Sequence, residues 1–391
     1  MRANGSLTSP APLKVVGLFA GIGGIELGMS RAGHEAVLLC ENDTAAQAVL
    51  RARFPDLQLV DDVRDLRELP RGTDMIAAGF PCQDLSQAGD TRGINGSRSG
   101  LVGEVFRLLE THDVPWLLLE NVPFMLQLGR GSAMNFIVRR LEELGYSWAY
   151  RVIDARAFGL PQRRERVYLL ASRVADPAPI LHATNLEPNT PTDHRGRACG
   201  FYWTEGVRGL GWAVSATPTL KGGSTVGIPS PPAIWMPDGN IVTPDIRDAE
   251  RLQGFRADWT KPAEEIGRAG FRWKLVGNAV AVPVAKWIGD QLARRSTERA
   301  AQAPSGLVNG SWPRAAALVD GVASVVDVTT WPVRRKQRPL EEFLNYEPKD
   351  LSLRATTGFE KRFTSSTLCA PEEFRAALRK HIKRMKALSK A

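Results

Sequence analysis

Through the first half of the chain, short apolar runs alternate with segments of helical period, the pattern of a largely parallel sheet whose strands are joined by helices. Runs at 14–18, 35–39, 75–78, 116–119, 148–153 and 167–170 are predicted strands. Between them, 25–32, 44–54, 101–109 and 134–144 carry apolar spacings suited to helices packed on a sheet. From about Asp176 to Pro244 the pattern gives way to Pro, Gly, Thr and Trp without periodicity, which predicts a separate loop-rich unit. Helical patterns return at 246–252 and 280–292. Beyond Ser296, an Ala, Ser, Pro and Gly-rich passage reads as a linker, and a basic segment after it ends in an amphipathic helix. Phe374, Leu378, Ile382, Met385 and Leu388 would share one face of that helix, with Pro371-Glu372-Glu373 suited to its first turn. The chain therefore divides at 1–175, 176–270, 271–296 and 297–391, with the third segment returning to the fold of the first.

Composition narrows this picture. A chain of 391 residues at 43% hydrophobic content exceeds the size at which single cores split, so two or three structural units are expected. No apolar run approaches the ~18–20 residues needed to cross a bilayer, so no membrane partner is expected. The N-terminal stretch 1–14 lacks a secretory apolar run and reads as a short disordered lead, from which a cytoplasmic location follows. Four scattered cysteines, Cys40, Cys82, Cys199 and Cys369, form no CxxC pair and have no histidine at ligand spacing. Neither a metal site nor a disulfide framework is suggested. The net charge of +9 favours a polyanion such as nucleic acid, although solvated lysines give the same balance.

Candidate chemistry begins where the first strand runs into Phe19-Ala20-Gly21-Ile22-Gly23-Gly24. Glycines at a strand-to-helix turn allow a ligand to approach the backbone across the sheet edge. A dinucleotide fingerprint would place its third Gly at position 26, where this chain has Glu26, a poor neighbour for a pyrophosphate. A nucleoside without phosphates fits better. Glu41, at the end of the second strand, is suited to both ribose hydroxyls, and Asp62-Val63 to an adenine amino group. Structural turn glycines are the plain alternative.

Farther along, Gly79-Phe80-Pro81-Cys82-Gln83 leaves a strand and enters a stretch punctuated by Gly89, Gly93, Gly96 and Gly100, as a hinged lid would. A cysteine in a Pro-bounded loop at the carboxyl edge of a parallel sheet is a candidate nucleophile, although free cysteines are more often simply buried. Glu120, directly behind the apolar run 117–119, is a candidate proton donor. Arg164 and Arg166 in QRRERVY would share one strand face and could aim into one site.

The ordered series FAGIGG, GFPCQDLS, ENV, QRRERVY, RDAERLQGF and KLVGNAVAVP resembles the motif series of the cytosine-5 DNA methyltransferases. It covers residues 15–174 and about 240–290. The resemblance implies a Rossmann-like class I methyltransferase with a mostly parallel seven-stranded sheet, a small loop-rich target-recognition domain and a C-terminal extension. It implies S-adenosylmethionine as cofactor, surrounded by Phe19, Ala20, Gly21, Ile22, Gly23, Gly24, Glu41, Asn42, Asp62, Val63, Pro81, Leu101, Asn278 and Val280. Cys82 would add to carbon 6 of a flipped cytosine, Glu120 would hold nitrogen 3 and the amino group, and Arg166 with Arg164 would bind the carbonyl at carbon 2.

Double-stranded DNA is the implied partner. Gln83, Ser86, Arg98, Thr219, Lys221, Gly222 and Gly223 are the implied DNA contacts, the last four in a Thr-Leu element of the family. Arg195, Arg197 and Arg208 are candidates for base or phosphate contacts or ordinary solvated charges. Trp203, Trp212 and Trp235 read as a small core. A cognate restriction endonuclease is an open possibility, and a monomer is expected. The extension, with Arg334-Arg335-Lys336-Gln337-Arg338 and its final helix, could touch phosphates or dock on the catalytic domain or a partner. A tRNA methyltransferase of the same family would carry a Cys-Phe-Thr element that is absent here, and a non-catalytic relative should have lost a catalytic residue.

Overall fold

A computed structural model of the chain describes residues 11–80, 100–205, 207, 209–223, 230–267, 270–294, 311–319 and 321–390. The chain forms two compact units, one built from described parts of 1–153, 165–187 and 280–333, the other from 154–164, 188–279 and 334–391. This departs from the linear division expected at 175, 270 and 296. Residues 154–164 belong with the second unit, and the C-terminal segment is shared between both.

In the first unit the strands are β1 (Lys14–Leu18), β2 (Glu35–Cys40), β3 (Gln58–Val60), β4 (Met75–Ala78), β5 (Trp116–Asn121), β6 (Ser147–Asp154) and β7 (Glu165–Ser172). A hairpin of Ala315–Val319 and Val322–Val325 completes one sheet of nine strands rather than the expected seven. From one edge the order is hairpin, β6, β7, β5, β4, β1, β2, β3. Strands β3, β2, β1, β4 and β5 run parallel, β7 runs antiparallel to β5, and Ala315–Ala317 pairs antiparallel with Ala149–Arg151 of β6. The hairpin lies in the passage read as a linker. Its sequence signal is the Asp320-Gly321 pair between two apolar runs, with Gly321 at φ 77°.

From β1 the chain steps outward through β2 to β3 and then returns to place β4 on the opposite side of β1. That reversal opens a crevice at the carboxyl ends of β1 and β4, where ligands bind in folds of this kind. The central strands are buried on both faces, with Val16, Leu18, Ile76, Ala78, Leu117 and Leu119 in one core. Helices α1 (Gly24–Arg31), α2 (Thr44–Arg53), α3 (Leu101–Thr111) and α4 (Ser132–Glu143) join them. Asp43 caps α2 by accepting from the amides of Ala45 and Ala46 at 3.0 and 3.1 Å. Gly24 and Gly28 let α1 lie close against Val280 and the helix Val282–Arg294, since a β-carbon on Gly24 would come within 2.7 Å of the Val280 carbonyl.

The second unit is organised on a small antiparallel sheet. Strands β8 (Cys199–Phe201), β9 (Ala213–Val214), β10 (Ala233–Trp235) and β11 (Ile241–Thr243) lie in the order β9, β8, β10, β11, and Lys349–Asp350 of the C-terminal segment adds a fifth strand beside β11. Helices α5 (Ile246–Leu252), α6 (Phe271–Asn278), α7 (Leu353–Thr364) and α8 (Glu372–Leu388) belong to this unit. Phe201 packs on Phe359 and Phe374 with ring centroids 5.1 and 4.9 Å apart, and Trp203, Trp212 and Trp235 pack against the same cluster. The tryptophans are core residues, as their pattern predicted, and half of that core comes from the extension. Asp248 accepts from the amides of Asn345 and Tyr346, and Arg362 donates to the carbonyls of Glu205 and Trp203. Residues 334–390 are thus a structural part of this unit. Among the described residues, no helix is long and apolar enough to cross a membrane.

Candidate active site

The turn after β1 bends sharply because Phe19, Gly21 and Gly23 all take left-handed backbone, at φ 53°, 57° and 79°. For Phe19 that conformation is a steric outlier of the kind held at functional sites. Hydrogen bonds fix the turn: the Ala20 amide donates to the Cys40 carbonyl at 3.1 Å and the Gly23 amide to the Ala20 carbonyl at 2.8 Å. The Gly21 amide donates to Glu41 Oε2 at 2.7 Å, and Glu41 Oε1 accepts from the Asp43 amide at 2.8 Å. Burial pushes the Glu41 carboxyl above its ordinary range, opposed by these amide donors. A carboxylate has about four acceptor sites, so the Gly21 and Asp43 amides do not exhaust it. A β-carbon on Gly21 would meet nothing within 4 Å, which leaves open space over the turn.

The other residues expected around a nucleoside are more scattered in character. Ile22 and Val63 are core residues, Leu101 opens α3, and Val280 backs Gly24. Asn42 is exposed beyond β2. Asp62 follows β3 and accepts from the Arg64 amide at 2.9 Å. Asn278 ends α6 in the second unit, its side chain exposed. Pro81 lies outside the described residues.

Glu26 is 1% exposed, and among the described residues its Oε2 has no hydrogen-bond partner. Its carboxyl sits over Gly17 of β1, where any β-carbon would overlap it. Burial pushes its pKa up to about 7. Between about pH 4.5 and 7 the folded chain therefore holds a proton that the unfolded chain has released, and stability falls as pH rises across that window. Glu26→Gln should remove this dependence and raise stability at pH 8 by roughly 3 kcal/mol relative to the wild-type chain. Denaturant unfolding at pH 5 and pH 8 reads it; parallel pH dependence in both chains would contradict it.

At the other side of the crevice, Glu120 lies within β5 rather than behind it, 7% exposed and ion-paired to Arg166 Nε at 3.1 Å. Arg166 belongs to β7, the antiparallel neighbour of β5, and its Nη1 also donates to the Glu165 carbonyl at 2.8 Å. The exit of β4 is drawn to this pair. Asn121 Nδ2 donates to the Phe80 carbonyl at 3.0 Å, and a β-carbon on Gly79 would lie 3.5 Å from Glu120 Oε2. Cys82 follows Phe80 by two residues but lies outside the described residues, as do Gln83, Ser86, Arg98 and Arg208.

The expectation that Arg164 and Arg166 share a strand face does not hold. Strand β7 starts at Glu165, and Arg164 lies in the second unit, 1% exposed. Its guanidinium donates to the carbonyls of Ala279 at 2.6 Å and of Leu220 and Gly277 at 3.3 Å. Three backbone carbonyls thus occupy a group that sequence spacing had aimed at a ligand.

Around Arg164 the second unit clamps the Thr-Leu element. Thr219 Oγ1 donates to the Arg163 carbonyl at 2.7 Å, the Leu220 amide donates to Gln162 Oε1 at 3.1 Å, and Gln162 Nε2 donates to the Leu252 carbonyl at 2.8 Å. Lys221 is ion-paired to Glu205, with its Nζ 3.8 Å from the centre of the Tyr202 ring. Gly277 is in backbone contact with Lys221 and Gly222, and a β-carbon on Gly222 would come within 2.7 Å of Asn278 Oδ1. Gly223, at φ 109°, requires glycine. Arg195 and Arg197 are exposed in the same unit. Gln162 and Gly277 emerge only from the structure, because nothing in their spacing marks a contact across 58 or 55 residues.

Comparison with known proteins gives this arrangement its context. A family model described as C-5 cytosine-specific DNA methylase matches residues 13–205. Over 369 residues the chain is 50% identical to the Type II methyltransferase M2.BsuMI of Bacillus subtilis (strain 168), covering 91% of this chain and 94% of the relative. It is 31% identical over 310 residues to the Type II methyltransferase M.NlaX of Neisseria lactamica, covering 71% of this chain and 96% of that protein. Among solved structures, the Entamoeba histolytica methyltransferase EhMeth matches with a TM-score of 0.53 and 16% identity over 73% of this chain and 99% of that one, a likeness of fold. With half of its residues identical to a relative across nearly the full length of both, the chain belongs to the C-5 cytosine-specific DNA methylase family, enzymes that take their methyl group from S-adenosylmethionine.

Proposed function

We propose that this enzyme methylates carbon 5 of cytosine within a specific duplex DNA sequence, acting on a flipped base through a covalent bond to Cys82. The observation that carries the reading is the ion pair of buried Glu120 with Arg166 beside the exit of β4, where Phe80 stands two residues before Cys82. Cytosine presents a ring nitrogen acceptor, an exocyclic amino donor and a carbonyl acceptor along one edge. A carboxyl and a guanidinium held 3.1 Å apart match that edge. Because Glu120 is only 7% exposed, a base still stacked in a duplex has no route to it, which supports flipping.

In this reading the Cys82 thiolate adds to carbon 6, and the electron pair shifts toward carbon 5 and the N3–C2–O2 edge. Glu120 supplies a proton at nitrogen 3 and accepts from the amino group. Arg166 orients Glu120 and donates to the carbonyl oxygen as charge develops there. S-adenosylmethionine, when bound, supplies an electrophilic methyl group on a sulfonium. Phe19–Gly24, Glu41 and Val280 are the residues that would hold it, and the open space over Gly21 with the spare acceptor sites of Glu41 suits a ribose. Loss of the carbon-5 proton to water acting as base, with return of the nitrogen-3 proton to Glu120, then expels Cys82 as thiolate and restores the ring. The Thr219–Gly223 element with Lys221 reads the DNA, and the Type II naming of the relatives supports a restriction-modification setting.

The test is bisulfite sequencing of DNA from a methylation-free host expressing the chain, beside a Cys82→Ser control. Methylcytosine at one recurring sequence in the first and none in the second is expected. The same sites methylated in the control would overturn the nucleophile.

A further inference from the structure

The chain's positive charge is unevenly placed. Residues 334–391 hold 15 Lys and Arg against 7 Asp and Glu, a net of +8 in a chain of net +9. Those residues are built into the second unit, the one that contains the Thr219–Gly223 element. Within that segment, charge concentrates on α8. After the first-turn pair Glu372 and Glu373, residues 374–390 contain seven Lys and Arg and no acid.

Helix α8 sorts these side chains by face. Phe374, Ala377, Leu378 and His381 are buried, with Phe374 centred 4.9 Å from Phe201 and 5.1 Å from Trp212. His381 Nε2 lies 2.8 Å from the Leu351 carbonyl, which ties the helix to the fifth strand's flank. Two cations are used internally: Arg375 stacks 4.3 Å over Phe363, and Arg384 pairs with Asp350. Arg379, Lys380, Lys383 and Lys386 are exposed, and Lys390 continues the row one turn on. Positions 379, 383, 386 and 390 recur at four and three residues, so they line one stripe with successive positions about 4.5–6 Å apart along the axis.

We propose that this outer face of α8 is a second, sequence-independent DNA contact, in which Arg379, Lys380, Lys383 and Lys386 bind duplex phosphates. The proposal rests on the DNA reading of the second unit given above. Nothing acidic interrupts the stripe between residues 374 and 390. Such contacts position a protein without carrying sequence information. Helix ends attract cations for dipole reasons alone, but that effect is confined to the last turn, whereas Arg379 and Lys380 lie at mid-helix.

The test compares the full chain with Arg379→Gln/Lys380→Gln/Lys383→Gln/Lys386→Gln, measuring equilibrium binding to a 30-bp duplex of arbitrary sequence across a salt series. Loss of four phosphate contacts should flatten the slope of log K against log salt by roughly 3–4 and weaken binding at about 0.1 M salt by 10-fold or more. A control, Arg67→Gln/Arg71→Gln, removes two exposed cations from the first unit and should leave the slope unchanged. An unchanged slope in the quadruple variant, or an equal change per charge in the control, would overturn the proposal. So would a variant that keeps duplex binding but loses binding to vesicles of anionic phospholipid. Because binding is read without methylation, failure of the Cys82 chemistry would leave this result interpretable.

Discussion

Replacing Glu120 by Gln is expected to lower turnover by roughly 10²–10⁴-fold, the range a positioned proton donor contributes, while changing the Michaelis constant for DNA only slightly. Gln keeps the volume and the hydrogen-bonding length of Glu, so β5 and its neighbours should be undisturbed. In the proposed mechanism, what is lost is the ionisable carboxyl that would pass a proton to nitrogen 3, and with it the ion pair to Arg166. Steady-state kinetics with saturating S-adenosylmethionine and varied DNA would read the split, and wild-type turnover in the variant would remove Glu120 from the chemistry.

The pairing also predicts how Arg166 behaves. Arg166→Ala leaves a carboxylate 7% exposed without the guanidinium that sits 3.1 Å from it, a change that costs more than loss of one contact. The double variant should therefore lose less activity than the product of the two single losses. Additive losses would mean that the two side chains act separately.

Gly277→Ala is the second large effect. Gly277 is helical, with no left-handed backbone, so helix propensity alone would favour Ala by about 1 kcal/mol. Space decides the other way. A β-carbon there would overlap the Lys221 carbonyl group and the Gly222 nitrogen, both backbone atoms that cannot rotate aside, and overpacking of this kind costs about 1–3 kcal/mol or more. The Thr219–Gly223 segment must shift, because Arg164 holds the Gly277 carbonyl from behind. Expressed against DNA binding, that strain corresponds to a loss of roughly 5–150-fold in kcat/KM for DNA, with weaker discrimination against single-base mismatches. Kinetics on the mapped site and on mismatched duplexes would measure both. Unaltered discrimination would show that Thr219–Gly223 does not set specificity.

Much of this arrangement was legible in the sequence, where local pattern and local structure coincide. The strand at Lys14–Leu18, the turn at Phe19–Gly24 and the acid Glu41 beside it were readable because each is fixed by neighbours within one or two elements. Glu120 was readable as an acid at the end of an apolar run, although the strand continues through it to Asn121. Arg164 misled because alternation applies only inside a strand, and β7 begins one residue later. The partners of Arg164, Leu220 and Gly277, are 56 and 113 residues away, and no periodicity encodes such a contact. The extension was readable only as far as an amphipathic final helix with Phe374 on its apolar face, because the surface that Phe374 covers, Phe201 and Trp212, lies more than 160 residues earlier.

The central claim is a covalent bond between Cys82 and carbon 6 of the target cytosine. A duplex carrying 5-fluorocytosine at the mapped position tests it directly, since fluorine at carbon 5 cannot leave as a proton does and the adduct cannot resolve. With S-adenosylmethionine present, a complex stable to denaturation should accumulate, and peptide mass spectrometry should place the DNA on Cys82. Attachment at any other residue, or no stable complex from an enzyme that methylates the unmodified duplex at full rate, would contradict the account.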